Sequence, residues 1–210
     1  MTNLTFHEKW AEQYRASPFR LRFELGGDFS NTDQVVPRFV RAFGKARNIT
    51  NDVVVGAEKL VAIVGCWPGS ELDMSAPSED GFAALEQAGF RSKPLAEWKG
   101  GHPRYSSPDD EDWQRGATWR AYDLKDAADD RDVIIWCAVA YEMTVTPKAS
   151  ATSFLVDPTN QILIHVYDDR GMDVISLKRD TLVGLYKKHN SWLLDYDRER
   201  IIEAFGAIVE

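Results

Sequence analysis

The chain has few cysteines. Only Cys66 and Cys137 occur among its 210 residues, too few for the disulfide framework that holds small secreted domains together. Each lies beside a tryptophan in apolar sequence, in GCWPG and IIWCAVA. We therefore expect both to be buried thiols of a protein in a reducing compartment, and we expect a cytoplasmic location.

Long apolar runs are also absent. The longest, VIIWCAVAY, has nine residues, whereas a helix that spans a membrane needs about 20. The first residues, MTNLTFHEKWAEQY, lack the basic start and apolar run of a secretory leader. We expect no membrane association, and we interpret the nine-residue run as a buried strand.

Familiar catalytic patterns are missing. The four histidines stand in neither HxH nor HExxH spacing, and no serine lies in a GxSxG turn. Gly26 and Gly27 after the first strand are only a weak signal for a phosphate-binding loop. The sequence thus predicts no catalytic residue, no metal and no cofactor.

Positive charge is scarce. The chain carries 25 Lys and Arg against 33 Asp and Glu, a formal net charge of −8. Nucleic acids and anionic membrane surfaces require a basic field, so this balance argues against both. It favours a basic protein partner instead, and it leaves the oligomeric state open.

The negative charge is concentrated in one segment. Residues 109–132 contain nine acids against four bases, with aromatic residues between them. Such a run is common in solvated loops, but acids can also steer a basic partner while aromatic rings supply binding energy. The residues predicted to contact a partner are Asp109, Asp110, Glu111, Asp112, Trp113, Trp119 and Tyr122.

A predicted helix has the opposite charge. Its bases Arg38, Arg41, Lys45 and Arg47 have no acid between Gln34 and Asn51. They can pair with the acidic segment of the same chain or meet an acidic ligand such as a phosphate. Internal pairing or exposure to solvent is the favoured interpretation.

Hydrophobic periodicity predicts an α+β fold in one domain, residues 1–210. A meandering antiparallel sheet in the C-terminal half is flanked by helices towards both ends of the chain. Residues 91–130 form an irregular, acidic surface segment, and residues 91–115 within it are predicted as a loop. The predicted helices are 3–17, 33–55, 78–88, 181–189 and 198–205, and the predicted strands are 21–25, 59–67, 118–124, 132–141, 151–156, 162–167 and 172–177.

The stretch YDDRGMD combines acids, an arginine and a glycine between two of these strands. In the first strand, Leu163 and His165 are expected on the outer face. Residues 168–171 have the composition of a four-residue hairpin loop at a sheet edge, closed by Gly171 with positive φ. In this interpretation Asp168 accepts hydrogen bonds from backbone amides two residues on, and Arg170 pairs with one of the acids.

A functional interpretation of the same acids remains open. Asp168, Asp169 and Asp173, with Asp195 and Asp197, would supply the oxygen ligands that Mg²⁺ or Ca²⁺ requires. Their spacing matches no known metal loop, and Asp197 is better explained as the N-cap of the last helix. The turn is the preferred interpretation.

Three blocks of sequence resemble a known family. Tyr167-Asp168-Asp169-Arg170-Gly171-Met172-Asp173 is followed by WLLDYDR at residues 192–198, and LRFELG stands at residues 21–26. Together they resemble a bacterial family known only as a domain of unknown function, number 3885. The resemblance implies that the turn is important, and it implies no activity.

Two hypotheses of function follow. The first is a non-catalytic acidic protein-binding module, such as an immunity or antitoxin-like inhibitor of a basic toxin or nuclease. The second is a hydrolase whose carboxylates, Asp168, Asp169 and Asp195, act on a small or phosphorylated substrate with or without a divalent ion. The first is favoured, because no signature of a nucleophile, base or cofactor is present.

Overall fold

A seven-stranded antiparallel sheet forms the centre of the fold. The computed structural model describes residues 12–27, 34–66, 80–100 and 117–206. The strand order is β1-β7-β6-β5-β2-β4-β3. The strands are β1 (Arg20–Glu24), β2 (Val61–Cys66), β3 (Ala96–Gly100), β4 (Ala117–Asp123), β5 (Thr152–Asp157), β6 (Ile162–Val166) and β7 (Gly171–Ser176).

Helices connect and cover these strands. They are α1 (Val35–Gly56), α2 (Gly81–Gln87), α3 (Ala128–Ala140), α4 (Asp180–Lys188) and α5 (Arg198–Phe205), with short 3₁₀ turns at Asn190–Trp192 and Asp195–Asp197. Residues 12–16 are also helical. Pro37 is the third residue of α1, where its missing amide leaves no helix hydrogen bond unmade.

The predicted α+β class is confirmed. Strands β5, β6 and β7 form the expected antiparallel meander. Strands from the N-terminal half extend it on both sides, with β1 beside β7 and β2 beside β5. The 168–170 turn therefore joins two interior strands of the sheet, and its predicted place at a sheet edge is wrong.

The predicted strand at residues 132–141 is wrong. This stretch belongs to α3, which begins four residues earlier with Asp129 and Asp130 in its first turn, where acids favour the helix dipole. The helix is apolar on several sides because it packs between α1 and the sheet. A short apolar run has no periodicity that separates a buried helix from a buried strand.

The predicted loop at residues 91–115 contains a strand. Residues 96–100 form β3, which pairs with β4 at the edge of the sheet. Its sequence, AEWKG, is poor in β-branched residues, and its charged side chains suit an edge strand. Backbone pairing with β4 stabilises this strand, so side-chain patterns do not predict it.

The sheet is buried on both faces around β6. One face packs against the helices in the larger core, and the other carries a smaller cluster that includes Trp119, Phe154 and Leu163. Leu163 and His165 are 4% and 7% exposed, so their predicted outer face is covered. Among the described helices, none is both long enough and apolar enough to cross a membrane.

Candidate functional site

The three sequence blocks meet in space. Residues 21–24 of β1 pair with β7, which follows the YDDR turn. The Leu25 amide donates to the Arg170 carbonyl (3.0 Å), and the Leu194 amide donates to the Arg22 carbonyl (2.9 Å). Residues about 150 positions apart along the chain therefore form one structural unit.

Arg22 is the centre of this unit. Its guanidinium lies 2.9 Å from an Asp173 carboxylate oxygen and 3.0 Å from an Asp197 carboxylate oxygen. The hydrogen bond to Asp173 raises the pKa of Arg22, and the charges of Asp173 and Asp197 raise it further, whereas burial lowers it. Arg200 reaches Asp197 at 3.5 Å, so two cations neutralise two acids here.

Asp197 begins α5 without capping it through its side chain. Asp197 occupies the predicted N-cap position, but its side chain makes no capping hydrogen bond, so the position is confirmed and the side-chain cap is not. The carboxylate instead faces Arg22 and Arg200. Asp173 and Asp197 are largely buried, and a buried carboxylate is costly without a cation. Pairing with a cation therefore stabilises the fold more than a capping hydrogen bond would.

The turn after β6 has much of the predicted chemistry. Asp168 accepts a hydrogen bond from the Arg170 amide at 2.7 Å and from Arg170 Nε at 2.8 Å. Arg170 also pairs with Glu142 at 3.1 Å. Asp169 pairs with Arg38 of α1 and so fixes the turn to that helix.

Gly171 is required for a different reason from the predicted one. It is absent from the described glycines that have positive φ. A Cβ atom at this position would lie 2.2 Å from the Tyr167 hydroxyl and 2.9 Å from the Phe23 carbonyl oxygen. The missing side chain thus makes room for the Tyr167 ring on the sheet surface.

The carboxylates of the enzyme hypothesis are held by different arginines. Asp168 binds Arg170, and Asp169 binds Arg38. Asp195 is 92% exposed and pairs with Arg198 three residues on. Across the described ranges, no three His, Cys, Asp or Glu side chains are arranged to hold a metal ion.

The residues predicted to contact a partner fall into two groups. Residues 109–113 lie outside the described part of the chain, whereas Trp119 and Tyr122 are 0% and 3% exposed. The Trp119 ring lies against Gly65, and the Tyr122 ring packs edge-on against Phe90. These two rings are core residues, so their predicted place on a contact surface is wrong.

The basic residues of α1 pair with groups of the same chain, in agreement with the interpretation favoured for the sequence. Arg47 bonds to Asp132 at 2.9 Å, which joins α1 to the acidic segment. Lys45 pairs with Glu24, and Arg41 donates to the Gly26 carbonyl. Together with the Arg38–Asp169 pair, these contacts give all four bases partners within the chain.

An exposed stripe of side chains adjoins the structural unit centred on Arg22, which we call the Arg22 unit. It consists of Asp195, Tyr196, Glu199, Ile202 and Glu203, and we call it the Tyr196 stripe. Helical spacing places it away from Ile201 and Phe205, which anchor α5 in the core. Tyr196 is 89% exposed and Ile202 is 50% exposed.

The stripe has little structural role. The side chains of Tyr196, Glu199 and Glu203 make no hydrogen bond or ion pair with any residue in the described ranges. Its backbone is nevertheless held firmly, because Asp197 is bound by Arg22 and Arg198 donates to the Leu193 carbonyl. The sequence offered one missed signal, a tyrosine between two acids in a block that resembles a family.

Comparison with known proteins identifies a family and no activity. The model of the family described as a domain of unknown function (DUF3885) matches residues 2–197, so the chain belongs to that family. No curated protein and no solved structure matches the chain.

Proposed function

We propose that this member of the DUF3885 family is a non-catalytic acidic module that binds a basic protein through the Tyr196 stripe. The finer proposal is an immunity or antitoxin-like role, in which the module covers a basic toxin or nuclease in the cytoplasm. The observation that carries the proposal is the 89% exposure of Tyr196 on a backbone that the Arg22 unit holds in place.

Exposed tyrosine on a rigid backbone favours binding. A tyrosine loses little conformational entropy on binding and offers a large apolar ring with a polar tip, so tyrosines are frequent energetic centres of interfaces. Ile202 adds apolar area on the neighbouring turn. The ordered backbone lowers the entropic cost of association further.

Charge on the stripe supports a basic partner. Glu199 and Glu203 have no cation within the described chain, and Asp195 is almost fully exposed. The neighbouring bases Arg198 and Arg200 are engaged with Asp195 and Asp197. The net charge of −8 adds a long-range attraction for a positive surface. The acids at 109–112, which lie outside the described residues, remain predicted contacts with a basic partner.

The test places a photo-crosslinking amino acid at position 196 and irradiates the full-length protein in an extract of its own cells. We expect one cross-linked protein with an isoelectric point above about 9, because a positively charged protein is attracted to the acidic stripe. A cross-link only to a second copy of this chain, or no cross-link, overturns the proposal. The same probe in place of exposed Glu58 is the matched control.

The purified partner then tests the role of charge. Glu199→Gln with Glu203→Gln should slow association and reduce its salt dependence. Glu12→Gln with Glu58→Gln makes the same change in net charge elsewhere and should leave association unchanged. Equal effects of the two pairs would show that the stripe is not the contact. Inhibition of the partner's toxic or nuclease activity tests the finer proposal.

A further inference from the structure

A cleft lies between α1 and α4, on the helical side of the sheet. It has a volume of about 400 Å³, within the range of about 300–1,000 Å³ that is usual for small-molecule sites. Its apolar lining residues are Val53, Ile162 and Leu185. Its polar lining residues are Asp52, Asn160, Thr181 and Lys188. The remaining lining residues are Gly56 and Gly184.

Two opposite charges stand side by side on the wall of this cleft. One Asp52 carboxylate oxygen lies 2.7 Å from Lys188 Nζ, and the other lies 2.6 Å from His189 Nε2. Burial raises the pKa of Asp52, but hydrogen bonds from Lys188 and His189 outweigh it and bring the pKa below its ordinary value. Asp52 is therefore ionised at neutral pH.

His189 holds the Asp52 carboxylate in place from the side that faces the core. The imidazole is 4% exposed, and it stacks on Trp192 with ring centres 4.6 Å apart. Phe23 packs edge-on against it at 6.3 Å. The side chain of Lys188, by contrast, is 62% exposed and can swing to a ligand without disturbing the core.

Gly184 keeps the cleft open. It lies within α4, where glycine is less favourable than alanine by about 1 kcal/mol. Its φ is outside the left-handed region, and a Cβ atom would meet nothing within 4 Å. Neither backbone geometry nor packing within the chain therefore requires glycine, which is consistent with space retained for a ligand.

We propose that this cleft binds a zwitterionic α-amino acid with an apolar side chain. The ligand ammonium binds Asp52, the ligand carboxylate binds Lys188, and the side chain lies on Val53, Ile162 and Leu185. A molecule with both charges matches the paired wall better than a simple anion or cation, each of which would meet one like charge. The proposal is independent of the Tyr196 stripe.

The test measures the melting temperature and binding isotherms of the full chain with each of the standard amino acids. We expect one or more apolar amino acids to raise the melting temperature. Their N-acetyl and methyl ester derivatives, which lack one of the two charges, should bind at least ten times more weakly. The absence of binding by every amino acid, or equal binding of the blocked derivatives, overturns the proposal.

Two glycine variants locate the site. Gly184→Leu places a side chain at the cleft wall, where its Cβ atom meets nothing within 4 Å, and should abolish binding. Gly44→Leu is the matched control, because Gly44 is also a helical glycine with nothing within 4 Å and does not line the cleft. Lys188→Gln should weaken binding at least ten-fold while the protein remains folded. Binding that survives Gly184→Leu would place the ligand elsewhere and overturn the proposal.

Discussion

Arg22 and Asp173 lie directly opposite each other on β1 and β7, with Nε and a carboxylate oxygen 2.9 Å apart. The Asp173 side chain is 3% exposed, whereas that of Arg22 is 23% exposed and reaches on to Asp197. A buried carboxylate without a cation is strongly destabilising. Arg22 therefore joins the N-terminal strand, the hairpin and the C-terminal block energetically as well as geometrically.

Loss of Arg22 should destabilise the whole fold. Arg22→Gln leaves Asp173 buried without its cation, and we expect the free energy of unfolding to fall by about 3–5 kcal/mol. Urea denaturation measures this change. Arg47→Gln, which breaks the more exposed pair with Asp132, is the control and should cost about 0–1 kcal/mol. A similar small loss for both variants would contradict the central role of Arg22.

Substitution of Gly171 should destabilise the fold, because the new side chain would clash with Tyr167. Gly171→Ala places a methyl group against the Tyr167 hydroxyl and the Phe23 carbonyl, and we expect a loss of about 2 kcal/mol or more. Thermal or urea unfolding measures it. Tyr167→Leu in the same chain removes the closest contact, so the alanine should cost less in that background.

Gly184→Ala is the control for this experiment. A Cβ atom at Gly184 meets nothing, so alanine should stabilise the helix by about 0.5–1 kcal/mol. An equal cost of Gly171→Ala with and without Tyr167 would mean that the backbone, rather than the ring, requires glycine.

The sequence predicts the sheet better than its surroundings. Apolar and polar residues alternate in β1, and β5 to β7 are short segments rich in apolar residues, so these strands can be predicted. The side chains of β3 carry no such signal, and α3 is apolar on several sides. The second buried face was missed because residues such as His165 and Asp173 appear solvent-facing, although they are buried among partners from other strands.

At the candidate sites, too, some contacts could be predicted from the sequence and others could not. The bonds of Asp168 within the turn are local in sequence and could be predicted. The Asp169–Arg38 pair and the Asp52–His189 pair span more than 130 residues, so composition and spacing contain no trace of them. Exposure of Tyr196 depends on how α5 packs, which only the fold reveals.

Tyr196 should be dispensable for stability. Tyr196→Ala removes a ring that is 89% exposed, and we expect the free energy of unfolding to change by less than about 0.5 kcal/mol. Chemical denaturation checks this. Phe205→Ala, at a residue of the adjoining helix α5 that is 0% exposed, should cost about 3–5 kcal/mol. A large loss at Tyr196 would assign it a structural role and weaken the proposed contact surface.

Cys66 should make the fold sensitive to high pH. Burial raises the pKa of the Cys66 thiol to about 12, and the charge of Asp80 contributes in the same direction. In the unfolded chain a thiol titrates near pH 8.5. The folded state therefore holds the proton to higher pH, so this contribution to stability is complete below about pH 8.5 and is lost as the pH rises towards 12.

The measurement compares urea unfolding at pH 7 and pH 10 for the natural chain and for Cys66→Ala. Removing the thiol costs core packing at both pH values, so the packing loss cancels in the difference between them. We expect the natural chain to lose more stability between pH 7 and pH 10 than the variant does, because two buried thiols, Cys66 and Cys137, become free to ionise when it unfolds, whereas only Cys137 does so in the variant. Tyr14, whose pKa burial raises to about 12, is present in both chains and leaves the comparison intact. Identical pH dependence of the two chains would mean that the Cys66 thiol ionises as easily in the folded core as in water.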